Sequence, residues 1–129
     1  MMKKIFFILI IISLSHLGWT QETNHNQFSS APNTARYEIV QSELGARITL
    51  KIDKYLGMVY LLVERDTKLF WQVMHVQNQD AASPDKVSYQ IFTSGIGQKF
   101  TFLLNVNTGA TWQLTEDPTN GVLFWCVLE

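Results

Sequence analysis

The stretch that decides the fold of this chain is Tyr37-Glu38-Ile39-Val40-Gln41-Ser42-Glu43-Leu44-Gly45, because it returns as Tyr89-Gln90-Ile91-Phe92-Thr93-Ser94-Gly95-Ile96-Gly97. Tyr, Ile, Ser and Gly recur at a constant offset of 52 residues, and the similarity continues through both halves. Self-similarity at such a period is typical of tandem structural units. We therefore expect two copies of one unit, repeat one over 36–76 and repeat two over 87–129, joined by a polar linker at 77–86.

Each repeat contains four short segments with the length and composition of β-strands. We place them near 36–42, 46–53, 58–64 and 69–76, and near 87–93, 98–105, 110–115 and 121–128. No window beyond the N-terminal twenty residues predicts an amphipathic helix. The sequence therefore predicts an all-β domain over 36–129, in which two four-stranded antiparallel meanders form a small eight-stranded barrel or a sandwich.

Alternation of apolar and polar residues predicts which face of each strand is buried. In the second strand of repeat one, the apolar face carries Ile48, Leu50 and Ile52. In repeat two the corresponding face carries Phe100, Phe102 and Leu104. We expect both faces to lie in one shared core.

The segment 58–63 is apolar at every position, so its buried face is ambiguous by itself. Its counterpart alternates cleanly, which predicts that Ala110, Trp112 and Leu114 point inward. By equivalence, the inward residues of repeat one are Met58, Tyr60 and Leu62.

The other face of that segment then carries Val59, Leu61 and Val63. A strand that is apolar on both faces is normally covered on both. The sequence therefore predicts a contact face at these three residues, covered by the N-terminal arm, a partner chain or a ligand. The alternative is a set of scattered surface apolar residues, which are common singly.

The turns of the two halves also match. Asp53 and Gly57 bracket one connection, and Asn105 and Gly109 bracket its counterpart. An Asp or Asn side chain can cap a turn, and a Gly supplies positive φ, so both connections are predicted as hairpin turns. The next connection is two residues shorter in repeat one than in repeat two.

The stretch Asn105-Val106-Asn107-Thr108-Gly109-Ala110-Thr111-Trp112 resembles two signatures of propeller blades. One is the Asp-x-x-Thr-Gly-x-x-x-Trp pattern of quinoprotein-type blades, and the other is the Asp-box of sialidase-like propellers. Here Asn replaces the Asp, and the Trp lies one residue closer than in the quinoprotein form. The hairpin is also similar to one in short exported bacterial proteins. The resemblance implies a blade-like, four-stranded repeat, and its motif is a structural turn that carries no functional residue.

Two blades cannot close a propeller, which needs at least four. Eight strands can close as a barrel or pack as a sandwich with pseudo-twofold symmetry, and we favour these arrangements. A four-bladed ring built from several copies is an alternative that needs more assumptions.

The N-terminal residues have the pattern of a secretory signal, with Lys3 and Lys4 before an apolar run of roughly ten residues. Small residues at Gly18 and Thr20 predict cleavage before Gln21. An uncleaved anchor is the alternative, but a membrane span needs about 20 apolar residues. We expect a signal peptide at 1–20, a flexible polar arm at 21–35, and a periplasmic or secreted product. Because the single Cys, Cys126, is far from the cleavage region, a lipoprotein is not expected.

Charge and cysteine content limit the partner classes. Removing Lys3 and Lys4 from the 10 basic side chains leaves 8 against 11 acidic ones, a net charge of −3. This balance argues against nucleic acid or an anionic membrane as partner. One Cys cannot form an internal disulfide, so apolar packing must hold the fold. If Cys126 faces outward, it could pair with another chain in a homo-oligomer.

Candidate catalytic residues are few. His75 is the single His of the predicted domain, and neither a zinc-ligand spacing nor a phosphate-binding loop is present. Glu64 and Glu116 occupy equivalent positions and could converge for glycoside hydrolysis, although acids at strand ends are usually solvated. The aromatic residues Tyr60, Trp71, Trp112 and Trp125 are expected in the core, or around a ligand groove.

These observations predict a non-catalytic, exported β module, without metal or cofactor, that binds another protein or an envelope component. Envelope inhibitors and immunity proteins are comparable by analogy alone. The alternative is a carrier of a small apolar ligand or glycan in a barrel cavity. A glycoside-type hydrolase is the hypothesis that the sequence supports least.

Overall fold

The computed structural model describes residues 31–42, 47–93 and 97–129. These residues form two four-stranded antiparallel sheets, each a meander in chain order. The first sheet comprises β1 (Tyr37–Gln41), β2 (Thr49–Asp53), β3 (Met58–Arg65) and β4 (Lys68–Val73). The second comprises β5 (Tyr89–Thr93), β6 (Thr101–Asn105), β7 (Thr111–Glu116) and β8 (Leu123–Val127), with a 3-10 turn at Gln98–Phe100 before β6. The all-β prediction is confirmed, and the open sheets stack as a sandwich rather than closing as a barrel.

Strand registers show the internal repeat of two four-stranded sheets. Tyr37 pairs with Asp53 between β1 and β2, and Tyr89 pairs with Asn105 between β5 and β6. The offset of 52 in the sequence is therefore an offset between equivalent positions of two sheets.

The β2–β3 and β6–β7 turns are built alike. The Asp53 carboxylate accepts hydrogen bonds from the N–H groups of Tyr55 and Leu56, at 3.0 and 3.2 Å. The Asn105 amide oxygen accepts two corresponding bonds at the same distances. Gly57 and Gly109 end these turns at φ of 71° and 82°. The predicted hairpin turns are confirmed.

The linker 77–86 is not merely a connection, because it bonds to both repeats. The Trp112 indole N–H donates to the Gln77 carbonyl at 2.6 Å, and Gln79 donates to the Leu56 carbonyl at 2.9 Å. Just before it, the His75 carbonyl accepts from the Trp125 N–H, which starts a short parallel pairing with β8. These bonds fix the first sheet against the second.

The core lies between the two sheets, which bury opposite faces of equivalent strands. In the first sheet the buried side chains include Val40, Leu50, Ile52 and Val59. In the second sheet they include Tyr89, Ile91, Leu103, Trp112, Leu114 and Trp125. Leu50 and Ile52 correspond to Phe102 and Leu104, whereas the buried Leu103 corresponds to Lys51. The buried face of the first sheet therefore corresponds to the outward face of the second. We call this stacking head to tail; unlike faces meet, so no pseudo-twofold axis relates the two sheets.

This stacking corrects two of our predictions. Met58, Tyr60 and Leu62 do not point inward; the fully buried residue of that strand is Val59. In repeat two, the inward residues of β6 are Thr101, Leu103 and Asn105; of the expected set, Phe102 and Leu104 lie on the other side, and Phe100 is exposed in the 3-10 turn. The inward placement of Leu50, Ile52, Trp112 and Leu114 is confirmed. The buried face of repeat one could not be inferred from that of repeat two, because unlike faces of the two repeats meet in the core.

The predicted signal peptide at 1–20 and most of the predicted arm lie outside the described residues. From 31 to 35 the chain contacts the first sheet, since the Lys54 ammonium donates to the Asn33 carbonyl at 2.9 Å. No helix within the described residues is long and apolar enough to cross a bilayer.

Candidate binding surface

The outward side of the first sheet is an exposed apolar surface, which we call the first outer face. Cross-strand partners lie on the same side of a sheet, so the registers assign its members. Its apolar members are Tyr37, Ile39, Met58, Tyr60, Leu62, Leu69, Trp71 and Val73, and the same registers place Lys51, Gln41, Thr49, Asp53 and Glu64 on this side. Leu69 is 66% exposed, and Val73 is 58% exposed. Single exposed apolar residues need no explanation, but a contiguous set marks an interaction surface.

Seven apolar residues of the first outer face have an identical or aromatic counterpart on the core-facing side of the second sheet, whereas Met58 corresponds to Ala110 and Lys51 to Leu103. The registers align Tyr37 with Tyr89, Ile39 with Ile91, Tyr60 with Trp112, Leu62 with Leu114, Leu69 with Leu123, Trp71 with Trp125 and Val73 with Val127. Six of these seven pairs are identical, and the seventh keeps an aromatic ring. In the second sheet these side chains are buried or packed against the core. The first outer face therefore has the composition of an interior.

Lys51 places one positive charge in the middle of the first outer face. Its ammonium lies over the rings of Tyr60 and Trp71, at 4.5 and 4.8 Å from their centroids. A cation over an aromatic face is attracted by the ring quadrupole, so the two rings hold the ammonium in place. The equivalent position in the second sheet is the fully buried Leu103. The charge distinguishes this surface from a dry core.

A second cation lies at the edge of the first outer face. The Arg36 guanidinium lies 5.2 Å from the ring centroid of Tyr37 and donates to both Asp53 oxygens, the shortest bond being 2.8 Å. Burial opposes ionisation of Asp53, but the Arg36 hydrogen bonds and the N–H groups of Leu56 and Tyr55 outweigh it and hold the pKa of Asp53 below its usual value. The Arg36 bond to Asp53 also raises the pKa of Arg36. The pair fixes the β1 end of the surface.

The predicted contact residues Val59, Leu61 and Val63 face the second sheet instead of a free surface. Val59 is fully buried, and Leu61 packs partly against the core. Val63 is half-buried further along β3. The outward orientation predicted for Val59 and Leu61 is therefore wrong, because the second repeat covers this part of β3.

Beyond the core, Leu61 also lines an open groove of about 390 Å³ between β4 and the β7–β8 turn. Its other lining residues are Gln72, Val73, Met74, His75, Gly121, Val122 and Leu123. An apolar wall with a few polar groups suits a small ligand.

The candidate catalytic groups do not converge. Glu64 shares its side of β3 with Leu62 on the first outer face, whereas Glu116 follows Leu114 on the core-facing side of the second sheet. The first sheet therefore lies between the two carboxylates. In the part of the chain that the structure describes, no cluster of three His, Cys, Asp or Glu side chains could hold a metal ion. Cys126 is half-buried on the outward side of the second sheet.

Sequence reasoning missed Tyr37, Ile39, Leu69 and Val73 as surface residues. Their types are typical of a core, and nothing local to them indicates exposure. The signal that points to these residues is their near-identity to the core residues of repeat two. If two such repeats stack head to tail, one of the two equivalent faces must stay uncovered.

A scan against protein-family models, a search of curated proteins and a search of solved structures found no match to this chain.

Proposed function

We propose that the exported chain is a non-catalytic protein-binding module and that the first outer face is its binding surface. The observation that carries this proposal is the exposure of a set of side chains that the second repeat buries as its core. Burial of apolar surface stabilises a complex by about 25 cal/mol per Å² before the entropic costs of association. Exposed Leu69, Val73, Ile39 and Tyr37 therefore favour association over free solvation.

The aromatic residues strengthen the proposal. Trp, Tyr and Arg are the residues most often found in the energetic centres of protein interfaces. Here the rings of Tyr60 and Trp71 lie under the Lys51 ammonium, and Arg36 lies at the edge of the face. Lys51 places a cation within the apolar area and Arg36 places one at its edge, so the partner surface should be apolar with acceptor groups opposite these cations.

The test uses the chain from residue 21 as bait against envelope and secreted proteins of the source cell. Ile39→Asp and Val73→Asp each place a carboxylate on the first outer face. Val106→Asp is the matched control, because Val106 is similarly exposed, at 45%, but lies in the β6–β7 turn. All variants are first checked for wild-type circular dichroism and melting.

We expect a captured partner to bind both face variants at least about tenfold more weakly than wild type and the control equally well. A partner that binds Ile39→Asp and Val73→Asp with wild-type affinity would place binding elsewhere and contradict the proposal.

A second candidate function is carriage of a small apolar ligand, which the groove at Leu61, Met74 and Leu123 favours. The structure has no barrel cavity that could hold such a ligand among the described residues, since the two sheets stay open. Native mass spectrometry of protein purified from the source cell should then show a bound molecule, and Leu61→Gln should reduce its occupancy. Protein of bare polypeptide mass would count against carriage.

A further inference from the structure

The stacking within one chain shows how a face of this composition is covered. The core-facing side of the second sheet, with Tyr89, Trp112 and Trp125, packs against Val40, Leu50 and Val59 of the first sheet. The contact joins two unlike faces of equivalent sheets, so it is heterologous. A heterologous contact leaves one face of each kind unused.

The unused faces match the used ones by position. The first outer face carries the residue types that the second sheet buries. The second outer face, on the outward side of the second sheet, corresponds to the side that the first sheet buries. At the positions of Val40, Leu50 and Ile52 it carries Phe92, Phe102 and Leu104. Phe92 is exposed, and Phe102 and Leu104 are half-buried. Each chain thus presents both halves of one further interface of the same kind.

We propose that the first outer face binds the second outer face of another copy of this chain, in the orientation that the two sheets adopt within one chain. The inference rests on the proposed function, because it names the partner that the first outer face receives. Heterologous contacts form a closed ring when the rotation between subunits closes, and two copies would then give a ring of four sheets.

The departures from the internal pattern occur on both faces that would meet. On the first outer face, Lys51 replaces the equivalent of Leu103. On the second outer face, the equivalents of Val59, Leu61 and Val63 are Thr111, Gln113 and Thr115. A buried ammonium is costly without acceptors, and hydroxyl and amide oxygens are acceptors. The polar changes therefore complement each other, and they give a less apolar interface, as is usual between separately folded chains.

The experiment measures the mass of the chain from residue 21 by light scattering and sedimentation, from nanomolar to high micromolar concentration. Ile39→Asp disables the first outer face, and Phe92→Asp disables the second. Val122→Asp is the control, because Val122 is 49% exposed and its equivalent in the first sheet, Lys68, stays exposed when the second sheet packs there. We expect wild type and control to form a defined oligomer, and each face variant to be a folded monomer at concentrations where wild type associates.

Mixing the two face variants separates this arrangement from a symmetric one. Ile39→Asp keeps an intact second outer face, and Phe92→Asp keeps an intact first outer face. We expect the mixture to form a heterodimer through the single interface that remains, with one copy of each variant.

Three results would overturn the inference. The first is a monomeric wild type at every concentration, the second is an oligomer that survives Phe92→Asp, and the third is a mixture that stays monomeric. None of these results contradicts the proposed function. That proposal fails separately if captured partners bind Ile39→Asp and Val73→Asp with wild-type affinity. A symmetric oligomer that dissociates in Ile39→Asp but not in Phe92→Asp would support the first outer face as the binding surface and would contradict head-to-tail binding to the second outer face.

Discussion

Tyr37 and Tyr89 occupy the same position in two successive sheets, yet Tyr37 is 55% exposed and Tyr89 is fully buried. Each pairs with the residue that caps the following turn, Asp53 or Asn105. Local structure is the same at both sites, so it does not determine the exposure. The difference arises because the sheets stack head to tail, which covers this side of the second sheet and leaves the same side of the first sheet open.

Alanine at the two turn glycines should distinguish backbone strain from crowding. Gly57 and Gly109 both have positive φ, which costs a non-Gly residue about 1 kcal/mol. A Cβ at Gly109 would meet open space, whereas a Cβ at Gly57 would lie 2.8 Å from the Tyr89 ring and against Gln79. We expect Gly109→Ala to cost about 1 kcal/mol and Gly57→Ala about 1–3 kcal/mol more. Urea unfolding measures both, and equal losses would contradict the crowding argument.

The buried pair of Lys54 and Glu38 should show strong coupling. Their charged atoms are 3.3 Å apart, and both side chains are almost fully enclosed. Removing one partner leaves an uncompensated buried charge, so Lys54→Val should cost about 3–5 kcal/mol of unfolding free energy. Repeat two has Gln90 and Val106 at these positions, so Glu38→Gln with Lys54→Val imitates it.

We expect that double variant to recover most of the loss caused by Lys54→Val alone. A double-mutant cycle in guanidinium chloride provides the coupling energy. Additive losses would show that the pair is not coupled.

The core tryptophans Trp112 and Trp125 should differ in their tolerance of phenylalanine. Both are fully buried, but only the Trp112 indole N–H has a partner, the Gln77 carbonyl. Among the described residues, the Trp125 indole N–H finds no acceptor. Phenylalanine removes a hydrogen bond in one case and an unsatisfied donor in the other. We expect Trp112→Phe to destabilise by about 1–3 kcal/mol more than Trp125→Phe, measured by thermal unfolding.

Asp53→Asn should flatten the acid side of the stability profile. The folded pKa of Asp53 lies below its unfolded value of about 3.9, so its ionisation stabilises the fold above that value. This contribution is lost as pH falls from about 4 through the folded pKa. An Asn can still cap the turn, as Asn105 does, and only the Arg36 ion pair is removed.

We therefore expect Asp53→Asn to be less stable than wild type at pH 7 and to lose less stability than wild type below about pH 4. Arg36→Gln is the matched variant, since it removes the same pair from the other side. Parallel acid profiles for wild type and both variants would show that the pair does not contribute.

The sequence predicted the eight strands, their order and the turn chemistry, because these depend on contacts within one hairpin. Asp53 and Asn105 cap their turns whatever packs on the sheet, and Gly57 and Gly109 supply the positive φ that the turns require. The candidate surface was not predicted. The chosen contact residues, Val59 and Leu61, belong to the strand whose two sides are equally apolar, so the pattern could not assign a side.

By itself, then, the amino-acid order determined where the chain extends, where it turns and that it does so twice. Only the tertiary structure decided that unlike faces of the repeats meet, so that Val59 is enclosed while Ile39 and Val73 are left in solvent. The physical reason is that burial is a property of a pair of surfaces. A strand with apolar side chains on both faces lowers its free energy when either face is covered. The bonds of the linker to both repeats determine which face the second sheet covers.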